Sequence, residues 1–305
     1  VTLSNTGTAS LDVTALTAAA APFERTATGS CASTLPITLA AGSSCTLSYR
    51  FSPTAAGAAN QSLTVTANAP GSGSIALAGN GVSGALSVTP NPVAFGDVLV
   101  GAASSPLTVT LTNTGTGTLS LTALPDPIAP FARSGGSCTA VPITLNAGDS
   151  CTVSNTFSPT VTGAATGSVA VVSAPGGTFA LQLTGTGIQG NLVIAPSSVA
   201  FGNTVVGSSS AEQSVTLSNT GTASLDVTAL TAAAAPFERT ATGSCATTLP
   251  ITLASGSSCT LSYRFSPTAT GAANQTLTVT ANAPGSGSIA LAGTGVQGNL
   301  TINPS

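Results

Sequence analysis

The sequence contains no lysine, histidine, methionine or tryptophan. Charged residues make up 4% of it, against about 25% in an ordinary soluble domain. The five cations are all arginines (Arg25, Arg50, Arg133, Arg239 and Arg264), and eight carboxylates leave a net charge of −3. Without a basic stripe to neutralise phosphates, nucleic acid is excluded as a partner. Anionic lipid likewise finds no polybasic patch. Without histidine or lysine, no familiar base stands ready to activate the many serines, so nucleophilic catalysis has no starting point. No apolar run approaches the ~18 residues of a membrane helix, and no membrane insertion is expected in this segment.

What is present is a repeat. Residues 1–88 return from Val215 with an offset of 214, and VTLSNTGTASLDVTALTAAAAPFERTATGSCA comes back almost unchanged. A diverged copy lies between them. Asn-Thr-Gly falls at Asn5, Asn113 and Asn219, Phe-Ser-Pro-Thr at Phe51, Phe157 and Phe265, and Phe-Gly at Phe95 and Phe201, so the period is about 107 residues. Self-similarity at a fixed period marks tandem modules. The division read from it is 1–82 (a repeat incomplete at its N-terminal side), 83–189 and 190–296 (complete), and 297–305, the start of the next copy.

Within the unit 83–189 the apolar period is two. Leu107, Val109 and Leu111 alternate with Thr108, Thr110 and Thr112, and Leu119 and Leu121 alternate with Ser120 and Thr122. Cys151, Val153 and Phe157 share a face, as do Val169 and Val171, and then Phe179, Leu181 and Leu183. This alternation specifies half-buried strands. Gly, Pro, Asn and Asp clusters such as Asn-Thr-Gly-Thr-Gly and Asn-Ala-Gly-Asp punctuate it as turns. The reading is all-β: tandem immunoglobulin-like β-sandwiches of about seven strands each. The alanine run Thr17–Ala21 is too short for a helix and stops at Pro22.

The order Phe201-Gly202, Val206-Gly207, Asn219-Thr220-Gly221, Pro236-Phe237, a Cys pair, Phe265-Ser266-Pro267-Thr268 and Gly293-Thr294-Gly295 resembles a known group. It is similar to the bacterial "choice-of-anchor D" domains, relatives of the ASH immunoglobulin-like modules of abnormal-spindle and hydin proteins. The resemblance spans the chain. It implies a secreted or surface-displayed repeat protein with a binding or structural role, and it supplies no catalytic residues.

Six cysteines fall as one pair per repeat: Cys31 with Cys45, Cys138 with Cys151, and Cys245 with Cys259, separated by 14, 13 and 14 residues. An even pair in each copy, with no histidine in the chain, reads as an intradomain disulfide and an oxidising compartment, hence secretion. Two cysteines supply half of a zinc site, and no metal or cofactor is expected.

The remaining candidates have bland readings. Glu24 and Glu238 each adjoin an arginine in Phe-Glu-Arg-Thr, a solvated surface pair. Asp97, Asp126 and Asp149 occur only in the middle copy and lack calcium-loop spacing. Gly-Thr-Gly at Gly185 and Gly293 reads as linker, part of the Gly-rich joints Gly79–Gly84, Gly185–Gly190 and Gly293–Gly298. Tyr49 and Tyr263 could stack on a sugar, but alternation places them with Cys45, Leu47 and Phe51 on a packing face. The glycosylation triplets at Asn60, Asn274 and Asn299 are a weak signal in a chain this rich in Asn and Thr.

The first repeat lacks the segment corresponding to Asn191–Ser214. One reading is an arbitrary window on a longer array; the other is completion by a strand from a neighbouring chain. The functional expectation is a non-enzymatic extracellular rod or filament built by tandem and self-associating modules. The alternative is the stalk or adhesive region of a surface adhesin that grips a glycan or a cell surface.

Overall fold

A computed structural model describes residues 1–68 and 70–302. Every regular element in these residues is a β-strand. The reason is local: Thr, Val, Leu and Ile at period two suit a pleated, half-buried surface, and Gly and Pro interrupt every run before it lengthens.

Residues 83–189 build two sheets. The five-stranded sheet runs in the order Val93–Leu99, Gly177–Ile188, Gly163–Ala174, Leu119–Ala123, Ile143–Leu145. The four-stranded sheet runs Phe131–Gly135, Ser150–Phe157, Leu107–Asn113, Leu86–Thr89. Residues 190–296 repeat this arrangement strand for strand, from Leu192–Ala195 to Gly287–Val296. The tandem immunoglobulin-like sandwich is therefore present, with nine strands per complete repeat instead of about seven. The extra strands, Phe131–Gly135 and Ile143–Leu145, are short, and their inward residues are too few to show a period in sequence.

Most neighbours pair antiparallel, but Val93–Leu99 runs parallel to Gly177–Ile188, and Ser198–Val205 parallel to Gly287–Val296. In residues 1–81, Thr2–Ser4 pairs with Ser44–Thr46, Phe23–Thr26 with Ser48–Phe51, and a four-stranded sheet carries Ile37–Leu39, Leu11–Leu16, Gly57–Ala67 and Gly73–Gly81. The expected start of a further copy, 297–305, lies from residue 303 onward outside the described residues.

Each repeat closes over its own core. Val109, Leu111, Leu119, Leu121, Val171 and Leu183 are among the buried residues of the middle core, and Val215, Leu217, Leu261, Leu277 and Ile289 occupy the next. Each such side chain contributes roughly 1.5–3 kcal/mol on burial. The motif phenylalanines meet there: Phe201, Phe237 and Phe265 stand with ring centroids 5.1 to 6.2 Å apart. Phe-Gly, Pro-Phe and Phe-Ser-Pro-Thr are thus three parts of one aromatic cluster.

Gly185 and Gly293 correct the linker reading. Both lie inside long strands, Gly177–Ile188 and Gly287–Val296. A Cβ on Gly293 would stand 2.7 Å from Phe265, and one on Gly185 2.7 Å from Phe157. These glycines are where the strand backbone passes under an aromatic ring. The strand runs on to Ile188 and Val296, so the joint between repeats is shorter than the glycine pattern suggests.

Candidate functional site

The three cysteine pairs are bonded, with Cα–Cα distances of 4.9, 5.2 and 4.8 Å. Each ties a loop to the strand beside it: Cys245 N–H donates to Thr260 O (2.9 Å), one residue past its partner Cys259. All six sulfurs are buried, so the bond belongs to the core edge and offers no reactive thiol.

The Asn-Thr-Gly motif does more than turn the chain. The Asn219 side chain, 1% exposed, donates from Nδ2 to Ala223 O (2.8 Å) and to Leu253 O (2.9 Å). Its Oδ1 accepts from Gly221 N (3.0 Å) and Asn191 N (3.1 Å). Asn113 repeats the set with Gly117, Leu145, Gly115 and Ala85, and Asn5 holds Ala9, Leu39, Ala40 and Gly7. The backbone beside it receives the segment entering the repeat: Thr222 and Ala223 N–H both donate to Gln189 O (2.8 and 3.2 Å). A Cβ on Gly221 would sit 2.3 Å from that same oxygen. The motif is therefore a socket for the joint between modules. Sequence reasoning saw only a turn, because the partners lie about 30 residues away.

The Glu-Arg pairs also differ from expectation. Neighbours along a strand point to opposite faces, so Glu238 cannot meet Arg239. It pairs instead across the sheet with Arg264, as Glu24 does with Arg50. Both ion pairs are solvent-exposed.

That geometry frees Arg239 for the inner face, directly opposite Tyr263. Its Nη2 donates to Cys245 O and Ala246 O (2.9 Å each), tethering the disulfide loop. Tyr263 packs inward with Leu261 and Phe265 at 1% exposure, which agrees with the packing reading and not with sugar stacking. Its hydroxyl is buried without a hydrogen-bond partner. Burial raises the phenol above its usual value, against a smaller lowering pull from Arg239. A cleft of about 370 Å³ opens over the pair, lined by Leu230, Thr231, Ala232, Glu238, Thr247 and Leu249 among others. The first repeat has the equivalent cleft, about 420 Å³, around Ala18, Arg25, Leu35 and Tyr49. In the middle repeat Asn155 replaces the tyrosine, and Asp126 stands 3.6 Å from Arg133. Asp149 accepts from Asn146 N (3.0 Å) and Nδ2 (2.9 Å), closing a turn.

Residues 190–289 match the family model described as "Abnormal spindle-like microcephaly-assoc'd, ASPM-SPD-2-Hydin". This segment is an ASH-type immunoglobulin-like domain. The buried asparagine recurs as Asn5 and Asn113, and Phe95, Phe131 and Phe157 form the matching aromatic cluster of the middle repeat. Among solved structures, the ASH/PapD-like domain 7 of human CEP192 is 20% identical, covering 36% of this chain and 89% of that one at a TM-score of 0.28. A Porphyromonas gingivalis protein of unknown function is 13% identical over 68% of this chain and 99% of that one (TM-score 0.28). Cadherin domains 1–4 of protocadherin gamma B7 are 7% identical over 79% and 58% (TM-score 0.40). No curated protein matches. No helix of the described residues is long and apolar enough to cross a membrane.

Proposed function

We propose that this chain is a non-catalytic, extracellular structural repeat protein whose modules form a rod or filament by tandem linkage and self-association. The observation that carries this reading is the outward face of the central hairpin in each complete repeat. In the third repeat it presents Ala272, Asn274, Thr276, Thr278 and Thr280 beside Ser288 and Ala290, all exposed and none charged. The middle repeat shows Ala164, Thr166, Ser168 and Ala170. A flat face of small uncharged side chains carries no like-charge repulsion against a second copy. The buried disulfides suit an oxidising exterior.

The test is sedimentation velocity over a concentration series, with electron microscopy of the concentrated protein. Association that rises with concentration supports the reading, provided Thr166→Glu with Thr276→Glu weakens it; dispersed single particles at the highest concentration count against it. The second reading is a stalk or adhesive region that binds a glycan or a cell surface. The clefts beside Tyr49 and Tyr263 favour it.

A further inference from the structure

The middle repeat carries an ion pair at the arginine that lines these clefts in the other two. There the chain's own carboxylate, Asp126, stands against Arg133 Nη1 at 3.6 Å. The loops align without gaps from Thr-Ala-Leu to Pro-Phe, so the residues at the Asp126 position in the other repeats are Ala18 and Ala232. Both line their clefts, and both are exposed. The arginine is kept in all three repeats, as Arg25, Arg133 and Arg239, always opposite the Tyr or Asn position. Arg25 and Arg239 use Nη2 on the two carbonyls of the disulfide loop. Among the described residues, neither makes an ion pair.

We propose that the clefts of the first and third repeats bind a carboxylate-bearing ligand, whose carboxylate takes the place that Asp126 takes in the middle repeat. With Nη2 committed to the two loop carbonyls, the guanidinium keeps its Nη1 and Nε N–H groups, each able to donate a charge-assisted hydrogen bond to a carboxylate oxygen, as Arg133 Nη1 faces Asp126. Around that anchor, Leu230, Ala233 and the half-exposed Leu249 offer apolar wall, Thr231 and Thr247 offer hydroxyls, and the Glu238 carboxylate at the same cleft is neutralised by its pair with Arg264. The cleft falls in the size range of small-ligand sites, roughly 300–1,000 Å³. This lining suits a compact ring, either a sugar acid or an apolar acid, and the carboxylate is what the two share. The inference stands apart from self-association: the clefts and the hairpin faces are different surfaces, read by different measurements.

The composition makes the test clean. The chain has five arginines and no other side chain with an N–H of that kind near them, since lysine, histidine and tryptophan are absent. Its arginine Nε–H region in a nitrogen-15 NMR spectrum therefore holds five signals at most. The full chain is titrated separately with D-glucuronate, cyclohexanecarboxylate and neutral D-glucose at constant ionic strength. At least one acid should move the Arg25 and Arg239 signals and leave Arg133 in place, with glucose weaker by about tenfold or more. Whichever acid binds tells the sugar source from the apolar one. Ala18→Asp combined with Ala232→Asp, at two exposed positions, installs the internal carboxylate and should abolish both responses. The inference is overturned if neither acid shifts these signals, if glucose does so equally, or if the double variant responds like the original chain.

Discussion

Asn219 Nδ2 donates to Leu253 O across 2.9 Å, and that single bond joins the two sheets of the third sandwich. Asn219 ends a strand of the four-stranded sheet, and Leu253 ends the edge strand of the five-stranded one. The same side chain also accepts the Asn191 N–H from the segment entering the module. One buried amide thus registers sheet, sheet and joint together.

Replacing it should be costly. Asn219→Ala leaves the Leu253 and Ala223 carbonyls and the Gly221 and Asn191 N–H groups without their partner, and each buried orphan costs about 1–3 kcal/mol. The expected loss is about 3 kcal/mol or more, since water will reach some of these groups. Hydrogen exchange should show faster opening of the third repeat and no change in the middle one. Unaltered protection of Gly221 and Asn191 would contradict this role.

The disulfides close loops of 13 or 14 residues. Loss of one should destabilise its repeat by about 3 kcal/mol in the chain-entropy view. Cys138→Ala with Cys151→Ala should lower the urea midpoint of the middle repeat alone, because each bond lies within one core. A uniform loss across all repeats would mean that the modules are coupled.

Tyr263 carries a buried hydroxyl with no partner, so Tyr263→Phe should be neutral or stabilising by up to about 1 kcal/mol. Tyr263→Ala should cost about 3–5 kcal/mol through the cavity it leaves. The raised phenol also sets a pH dependence. Below pH 10.0 both states keep the proton; above it the unfolded chain releases it first, so stability declines as pH climbs toward the folded value. Unfolding of the third repeat followed from pH 8 upward should lose this alkaline decline in the phenylalanine variant. A decline identical in both proteins would assign it to another group.

Gly293→Ala forces a methyl group to within 2.7 Å of Phe265. Overpacking of this kind costs about 1–3 kcal/mol. The ring would have to move away from Phe201 and Phe237. A thermal melt together with aromatic NMR shifts reads both effects. Unchanged Phe265 shifts would show that the backbone yields and the ring stays.

Much of this was legible along the chain. The alternation of Val109 and Leu111 with threonines announces a strand with one wet face, and Cys138 and Cys151 lie close enough in sequence to announce their bond. The short strands Phe131–Gly135 and Ile143–Leu145 were not legible, because so few residues cannot display a period. Nor was the job of Gly293, which depends on a ring 28 residues earlier in the chain. Nor was the partner of Glu238: adjacency to Arg239 in sequence is opposition in a strand, and the glutamate meets Arg264 across the sheet.

By itself, then, the sequence determined the repeat, the β class and the modules with their internal bonds, since each follows from periodicity or short spacing. The tertiary structure alone decided which partners Asn219 holds, where the backbone passes beneath Phe265, that Arg239 and Tyr263 share a cleft, and that Arg133 at the matching position of the middle copy faces Asp126. Those are matters of register between strands far apart in the chain, and register is set by the packing of two sheets over a common core.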